Sequence, residues 1–146
     1  MKLVVQRVEK ASVSVDTKVV GEIGRGLFVL LGTKVGDNLE TADKLAEKLS
    51  KLRIMADDAG KMNLSVTDTN SSVLVVSQFT LYADTSAGNR PSFIRAGDPK
   101  EAEKIYNRFI EKLKSCSIKV ETGIFGEYMI IDAKLDGPVT ILLESD

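Results

Sequence analysis

The sequence contains no histidine and only one cysteine, Cys116. Without an imidazole, Ser-His-Asp and Cys-His catalysis, the HExxH zinc site and histidine acid–base chemistry are all excluded. One cysteine excludes an internal disulfide, and together with the missing histidine it argues against a zinc site of the usual kind. Any chemistry must therefore come from hydroxyl groups, carboxylates, Lys or Arg, backbone amides or the substrate itself, and we expect no metal and no cofactor.

The sequence also lacks an excess of positive charge. It has 20 Lys and Arg against 21 Asp and Glu, a net charge of −1. Proteins that hold a long stretch of nucleic-acid backbone usually carry a basic excess. The balance argues against extended duplex binding, but it is compatible with binding to a short single-stranded end.

Long apolar segments are missing as well. The N-terminus, MKLVVQRVEK, has no apolar region of signal-peptide length, and no other run approaches the length of a membrane span. A length of 146 residues is typical of one domain. We therefore predict one domain over residues 1–146, a cytoplasmic location and no membrane association.

The pattern of apolar residues predicts an α+β fold. Helices are expected over roughly 38–52, behind a capping box of Asp37 and Glu40, and from Asp98, with Pro99 in the first turn. Strands are expected at 3–8, 11–16, 27–32, from 73 onward, and at 118–122, 128–133 and 139–144. Since strands and helices do not alternate strictly, we predict mostly antiparallel or mixed curved sheets. The sheets would be barrel-like or form β/β/α layers, with two main helices on one side.

The segment VLVVSQFTLYAD at 73–84 combines a buried strand with a polar end. Val73 to Val76 predict the buried part, and Ser77, Gln78 and Thr80 follow, with Phe79 between them. An ordinary half-buried strand explains this pattern more often than a site does. The functional alternative is a strand end whose backbone N–H groups and side chains bind an ester carbonyl or a sugar hydroxyl.

Three further segments have both a structural and a functional interpretation. The Asp136-Gly137-Pro138 segment is normally a turn between two strands, but it could be a rigid tip that presents backbone carbonyls. Arg7 in an apolar strand usually lies at an edge, but its planar group could anchor another segment's carbonyls. The long polar loop over 84–98 contains Arg90 and Phe93, which are typical of a solvated loop and also of an RNA-end binder.

Taken together, these segments resemble one family. VVQRV at the start, VSQFTL at 76–81, Arg-Pro-Ser-Phe at 90–93, TGIFG at 122–126 and DGPVT at 136–140 occur in this order and spacing in D-aminoacyl-tRNA deacylases of the bacterial and eukaryotic type. The resemblance spans almost the whole chain. SQFTL together with GPVT is specific, whereas neither segment alone would be.

The resemblance implies a homodimeric enzyme without a cofactor. It implies hydrolysis of the ester between a D-amino acid and the 3′-terminal adenosine of tRNA, with glycyl-tRNA as a secondary substrate, and thus chiral proofreading in translation. In the family the Gly-Pro bond is cis, and the tip of one subunit enters the active site of the other and rejects L-amino acids. Those positions are Gly137 and Pro138 here, and Arg7 matches the arginine that orients the tip.

The resemblance also assigns the remaining site residues. Ser77, Gln78, Phe79 and Thr80 are the catalytic candidates, and the candidate 3′-adenosine pocket comprises Phe93, Phe125 and Met129. Leu135 stands where the family usually has Asn, so a side-chain hydrogen bond near the tip is lost, and we expect activity to survive. Thr80 is either a nucleophile or a positioning group, and the second interpretation is favoured because the sequence offers it no base.

Two rival functions remain open at this stage. One is a noncatalytic module that binds an RNA 3′ end or a nucleotide, which needs the aromatic residues but no hydrolytic geometry. The other is a general esterase or peptidase that uses Thr80 or Ser77, against which the missing base argues. A deacylation assay with D- and L-aminoacyl-tRNA separates all three.

Overall fold

The computed structural model describes residues 1–145, which form eight strands, two α-helices and one short 3₁₀ helix. The strands are β1 (Lys2–Val15), β2 (Lys18–Ile23), β3 (Gly26–Gly32), β4 (Met55–Ala56), β5 (Met62–Leu64), β6 (Ser72–Ser77), β7 (Lys119–Thr122) and β8 (Ile130–Glu144). The helices are α1 (Leu39–Ser50), the 3₁₀ helix (Phe79–Tyr82) and α2 (Pro99–Ser115). The predicted α+β class, with a mixed sheet and two main helices, is confirmed.

The main sheet curves until it is nearly closed as a barrel. Strand β1 pairs with β8 along one edge, and along the other edge it pairs with β3 and then with β2, all antiparallel. Strands β3, β6 and β7 are parallel neighbours. Strand β7 comes back toward β2 at Gly21, where an added Cβ would lie only 2.4 Å from the carbonyl oxygen of Thr122. Only glycine allows the two backbones to approach so closely.

The continuous apolar runs of β3 and β6 are explained by burial on both faces. Leu27 and Val29 face the core shared with the helices, whereas Phe28, Leu74 and Val76 face the inside of the barrel. Successive side chains of a strand point to opposite faces, so a strand covered on both sides is apolar throughout. Val73 to Val76 are buried in this way, and β6 leaves the core at Ser77, which is only partly buried.

The two helices pack against each other and against the same outer face of the sheet. Helix α2 begins as predicted, because Asp98 accepts a hydrogen bond from the N–H of Lys100 at 3.0 Å and Pro99 occupies the first turn. The predicted capping box of α1 is wrong. Asn38 caps that helix, and the carboxylate of Asp37 instead accepts from the N–H of Lys34 at 2.7 Å. Among residues 1–145, no helix is long and apolar enough to cross a membrane.

Two predicted strand breaks are absent from the residues that the structure describes. The predicted strands 3–8 and 11–16 are one strand, β1, because pairing continues past the exposed polar residues Glu9 and Lys10. The predicted strands 128–133 and 139–144 also form one strand, β8, so the interpretation of Asp136-Gly137-Pro138 as a chain-reversing turn is wrong. Both halves of β8 pair with β1 in the same direction, and the chain therefore does not reverse.

Candidate active site

A cavity of about 570 Å³ opens where β6 ends. It lies between the 3₁₀ helix, the loop before α2, the start of α2 and the segment 125–131. Six of the residues predicted from the sequence line it: Ser77, Gln78, Phe79, Phe93, Phe125 and Met129. Segments far apart in sequence are thus brought together at one strand end. The aromatic and mostly apolar wall with a few polar groups is typical of a small-molecule or cofactor site.

The strand end itself differs from the sequence prediction. Strand β6 stops at Ser77, Gln78 donates its backbone N–H to the carbonyl of Leu31 at 2.7 Å, and the chain then turns into the 3₁₀ helix. The backbone N–H groups of Phe79 and Thr80 find no acceptor within residues 1–145. This is expected for the first residues of a helix. Two unpaired amides therefore sit in the segment that carries Phe79 into the cavity wall.

The side chain of Thr80 has only one hydrogen-bond partner among the described residues. The amide nitrogen of Gln78 donates to its Oγ1 atom in a short contact. The Thr80 side chain is exposed and does not line the cavity, unlike those of its neighbours Gln78 and Phe79. An amide N–H that donates to the hydroxyl cannot take its proton. The geometry thus provides no general base for a Thr80 nucleophile.

Phe79 and Phe93 form one wall of the cavity. Their rings contact each other edge to face, with centroids 5.0 Å apart, and Phe79 is 58% exposed. Phe93 belongs to the long loop, which has no regular secondary structure but is closed by backbone hydrogen bonds of 2.8 Å in both directions between Asp84 and Ser92. An exposed aromatic ring held by a second ring offers a flat surface on which a base can stack.

Phe125 is held by the second helix. Its ring lies 5.7 Å from that of Tyr106, whose hydroxyl donates to the carbonyl of Val75 on β6 at 2.8 Å. Burial raises the pKa of the Tyr106 hydroxyl well above its ordinary value, so the group remains a protonated donor. Helix α2 thereby fixes the distance between the strand β6 and the aromatic wall of the cavity.

Arg7 lies outside this cavity, in a second cluster with Asp136 and Gly137. Its side chain is buried, and Nη1 donates to the carbonyl of Ile54 at 2.9 Å. Its Nε atom lies 3.0 Å from Oδ2 of Asp136, which is an ion-pair distance, although the N–H is not aligned with the oxygen for a hydrogen bond. Arg7 therefore connects the segment before β4 to the segment that carries Gly137.

Residues 136–139 form a bulge within β8. Gln6 is paired with Thr140 and Val8 with Leu135, so these four residues stand opposite Arg7 alone. The Gly137–Pro138 peptide bond is cis, and Gly137 has a φ of +124°. An added Cβ on Gly137 would lie 2.8 Å from Cγ2 and 2.9 Å from the nitrogen of Val139. The bulge thus requires glycine for both its backbone conformation and its close contacts.

The outer edge of β8 is not covered by any other strand in the part of the chain that the structure describes. Large apolar side chains are exposed along it: Leu142 at 67%, Ile130 at 61% and Leu135 at 46%. Tyr128, just before the strand, is 83% exposed and lines the cavity. A long apolar strand edge that remains open is a typical site of pairing with another chain.

Several cavity residues were missed by the reasoning from sequence, among them Thr33, Gly97, Glu127 and Tyr128. No local pattern marks them, because they are brought to the cavity by three separate segments: the end of β3, the loop before α2 and the segment before β8. Glu127 is the only carboxylate that lines the cavity within the described chain. Nowhere in residues 1–145 do three Cys, Asp or Glu side chains come together as metal ligands would.

Comparison with known proteins agrees with the resemblance. The sequence model of the D-Tyr-tRNA(Tyr) deacylase family matches residues 4–144. A protein of Dehalococcoides mccartyi is 54% identical over 99% of this chain and 95% of its own length, and one of Fervidobacterium nodosum is 51% identical over 99% and 97%. Both are named D-aminoacyl-tRNA deacylase.

Two solved structures share the fold. A structure titled c-Myc DNA Unwinding Element Binding Protein has a TM-score of 0.93 and 41% identity, covering 100% of this chain and 99% of the other. A probable eukaryotic D-amino acid tRNA deacylase has a TM-score of 0.82 and 17% identity over 97% of each chain, which supports the fold alone. The family model and the named relatives define a hydrolase. The chain belongs to the D-Tyr-tRNA(Tyr) deacylase family.

Proposed function

We propose that this protein hydrolyses the ester bond between a D-amino acid and the 3′-terminal adenosine of tRNA. Glycyl-tRNA is the secondary substrate, and the cytoplasm, where charged tRNA is used in translation, is the place of action. One observation carries the proposal: Phe79, which lines the aromatic cavity, and the next residue, Thr80, both have unpaired backbone amides. Stacking surfaces suit the adenine base, and unpaired amides suit the ester group.

In the proposed mechanism the protein positions the ester and stabilises its transition state. The N–H groups of Phe79 and Thr80 donate to the oxygen that becomes negatively charged as water attacks the carbonyl carbon. The bond from that carbon to the ribose oxygen then breaks, and the ribose regains a hydroxyl. The ester is already activated by its α-ammonium group, and the neighbouring 2′-hydroxyl orients the water, accepts its proton and passes its own proton to the departing 3′ oxygen. No side-chain base is needed, in keeping with the absence of histidine.

The aromatic wall supplies the adenosine pocket in this proposal. Phe93 and Phe125 offer ring faces, and the thioether of Met129 fills the space beside them. Base–aromatic stacking contributes about 1–3 kcal/mol per base, which is sufficient to position a terminal nucleotide without a large basic surface. With adenosine bound in this pocket, the ester group would lie next to Ser77 and Gln78, at the end of β6.

We further propose that the site is completed by a second copy of the chain. The Gly137–Pro138 tip does not line the cavity of its own chain, and the apolar outer edge of β8 beside it is open. A homodimer formed along β8 would cover this edge and carry the tip into the partner's cavity. The backbone of the tip would leave space for only a hydrogen on one side of the substrate's α-carbon, and for a side chain on the other side. An L-amino acid would place its side chain on the closed side and would be rejected by steric exclusion.

Leu142→Arg is expected to disrupt the proposed dimer, because it places an unpaired charge on the apolar face of β8. We expect dissociation to become at least about tenfold more favourable, with a parallel loss of deacylation. Sedimentation velocity over a range of protein concentrations measures the change. Val19→Arg is the matched control, since Val19 is similarly exposed, at 54%, but lies on β2. An L142R protein that remains as dimeric as wild type would disprove this interface.

The activity is tested with tRNA charged with D-tyrosine, L-tyrosine or glycine, with the release of amino acid followed over time. We expect rapid hydrolysis of the D-ester, slower hydrolysis of the glycyl ester and almost none of the L-ester. A protein that binds the charged tRNA but releases it intact is the noncatalytic module. Equal cleavage of the D- and L-esters would instead identify a general esterase.

Thr80→Ala is expected to retain substantial deacylation. The hydroxyl contacts only the Gln78 amide among the described residues, and removing one neutral hydrogen bond costs about 1 kcal/mol, or about fivefold in rate. Single-turnover rates on D-tyrosyl-tRNA, with tRNA affinity and thermal stability measured in parallel, test this expectation. Complete loss of turnover in a folded, substrate-binding T80A protein would show that Thr80 is the nucleophile.

Nucleic-acid binding without catalysis is the second candidate, because one solved relative is named for binding a DNA element. The net charge of −1 argues against extended duplex binding by this chain. A steep salt dependence of affinity for duplex DNA, together with intact D-aminoacyl esters after incubation, would favour this candidate over deacylation.

A further inference from the structure

Two loops form a platform beside the cavity, which we define as residues 33–35 and 94–97. They are joined by hydrogen bonds from the N–H of Val35 to the carbonyl of Arg95, at 3.1 Å, and from the N–H of Gly97 to the carbonyl of Thr33, at 3.0 Å. Two backbone groups of each loop are thus paired across an isolated antiparallel bridge between Lys34 and Ala96.

The platform is continuous with the cavity. Thr33, Ala96 and Gly97 form part of the cavity wall, whereas Val35, Ile94 and Arg95 are on the exposed side. A bound polymer that extends out of the cavity on this side must therefore cross the platform. In the proposed function, that polymer is the tRNA strand that precedes the terminal adenosine.

The exposed side of the platform combines cations with apolar side chains. Val35 is 68% and Ile94 is 87% exposed, which is unusual for aliphatic residues so close together. Lys34 and Arg95 lie beside them, and Lys100 follows in the first turn of α2. None of these three cations forms an ion pair within residues 1–145.

The carboxylates closest along the chain are already occupied. Oδ1 of Asp37 accepts from the amino group of Met1 and Oδ2 from the N–H of Lys34, both at 2.7 Å. Asp98 accepts from the backbone N–H of Lys100, and Asp84 from that of Ser86 at 2.9 Å. Lys34, Arg95 and Lys100 are therefore not held by a direct ion pair among the described residues, and their donor groups are free to bind a ligand.

We propose that the platform binds the unpaired nucleotides that precede the terminal adenosine of tRNA. Lys34, Arg95 and Lys100 contact their phosphates, and Val35 and Ile94 pack beneath their bases. A cationic surface that alternates with apolar groups fits single-stranded nucleic acid better than a duplex, whose bases are not accessible. This inference rests on the proposed function, since it extends the same substrate one step beyond its terminal nucleoside.

The test compares two esters of the same amino acid, D-tyrosyl-tRNA and D-tyrosyl-adenosine. The double variant K34A/R95A is expected to lose about tenfold more in kcat/KM on the tRNA ester than on the nucleoside ester, with the loss mainly in KM. The salt dependence should change as well. A slope of log kcat/KM against log salt of about −2 for three phosphate contacts should fall to about −0.7 for one.

Lys114→Ala is the matched control, because Lys114 is an exposed cation at the other end of α2, about 20 Å from Lys100. It should leave both esters and the salt slope unchanged. Equal losses on the two esters in K34A/R95A, or no loss on either, would overturn the platform while leaving the deacylase function in place. A wild-type protein that cleaves neither ester would overturn the proposed function itself.

Discussion

Replacing Gly137 with alanine is expected to lower kcat/KM for D-aminoacyl-tRNA by about 100-fold, the loss that a displacement of about 1 Å can cause in a positioned site. The φ of +124° is strained for any residue with a Cβ, and that Cβ would lie 2.8 Å from Cγ2 of Val139 and 3.4 Å from Nη2 of Arg7. The bulge must shift to relieve these contacts. If the tip selects the substrate by steric exclusion, this shift moves the backbone atoms that contact the substrate.

The measurement is kcat/KM for the D- and L-esters in G137A, with sedimentation velocity to show that oligomeric state is unchanged. Gly60→Ala is the matched control. Gly60 also has a positive φ, of +76°, but an added Cβ there meets nothing within 4 Å, and the residue lies in the turn between β4 and β5. Wild-type kinetics in a folded G137A protein would mean that the tip plays no part in the reaction.

Mixing two variants, one impaired in the tip and one impaired in the cavity, tests whether the tip acts in the partner's cavity. G137A has an altered tip and an intact cavity, whereas F125A has an intact tip and an altered cavity. If the tip acts across the dimer, mixed dimers contain one site with both parts intact, and activity partly recovers after subunit exchange. If each tip serves its own chain, every site in the mixture has one defect, and no activity returns.

Local patterns were sufficient to predict much of this fold. The apolar runs before Gly32 and Ser77 predicted strands that are covered on both faces, and Asp98 with Pro99 predicted the start of α2. These features depend on the pattern of apolar residues and on capping residues close in sequence, and both can be identified from a single sequence. The convergence of Ser77, Phe93 and Phe125 on one cavity came from the family resemblance, since no local pattern relates them.

The errors occurred where long-range pairing overrides a local preference. Gly137-Pro138 predicts a turn, but β1 holds the residues on both sides of it in one register, and the extra residues bulge outward instead. Asp37 and Glu40 have the spacing of a capping box, but the Asp37 carboxylate instead accepts hydrogen bonds from the backbone N–H of Lys34 and the amino group of Met1. The end of β6 was missed as well, because the chain turns into the 3₁₀ helix directly after Gln78, whose N–H still bonds to Leu31 of β3.

Arg7→Met is expected to reduce both stability and chiral selectivity. Methionine fills much of the same space, but it leaves the carbonyl of Ile54 and the carboxylate of Asp136 without their partner. An unsatisfied buried acceptor costs about 1–3 kcal/mol, so we expect the free energy of unfolding to fall by about 2 kcal/mol. We expect the ratio of D- to L-ester hydrolysis to fall by about tenfold or more, because the ion pair to the residue before Gly137 is lost.

The selectivity ratio separates a positioning role from a purely structural one. Val13→Ala removes buried volume inside the barrel and should destabilise the protein without changing the ratio. Asp136→Asn keeps the bond from Arg7 to Ile54 but leaves the buried guanidinium without its counter-charge, so we expect stability to fall and the weakened hold on the tip to lower the ratio as well. Arg7→Lys keeps the charge but not the planar group that spans both partners, and an intermediate ratio is expected. If R7M and D136N both keep the wild-type ratio, Arg7 supports the fold but does not orient the tip.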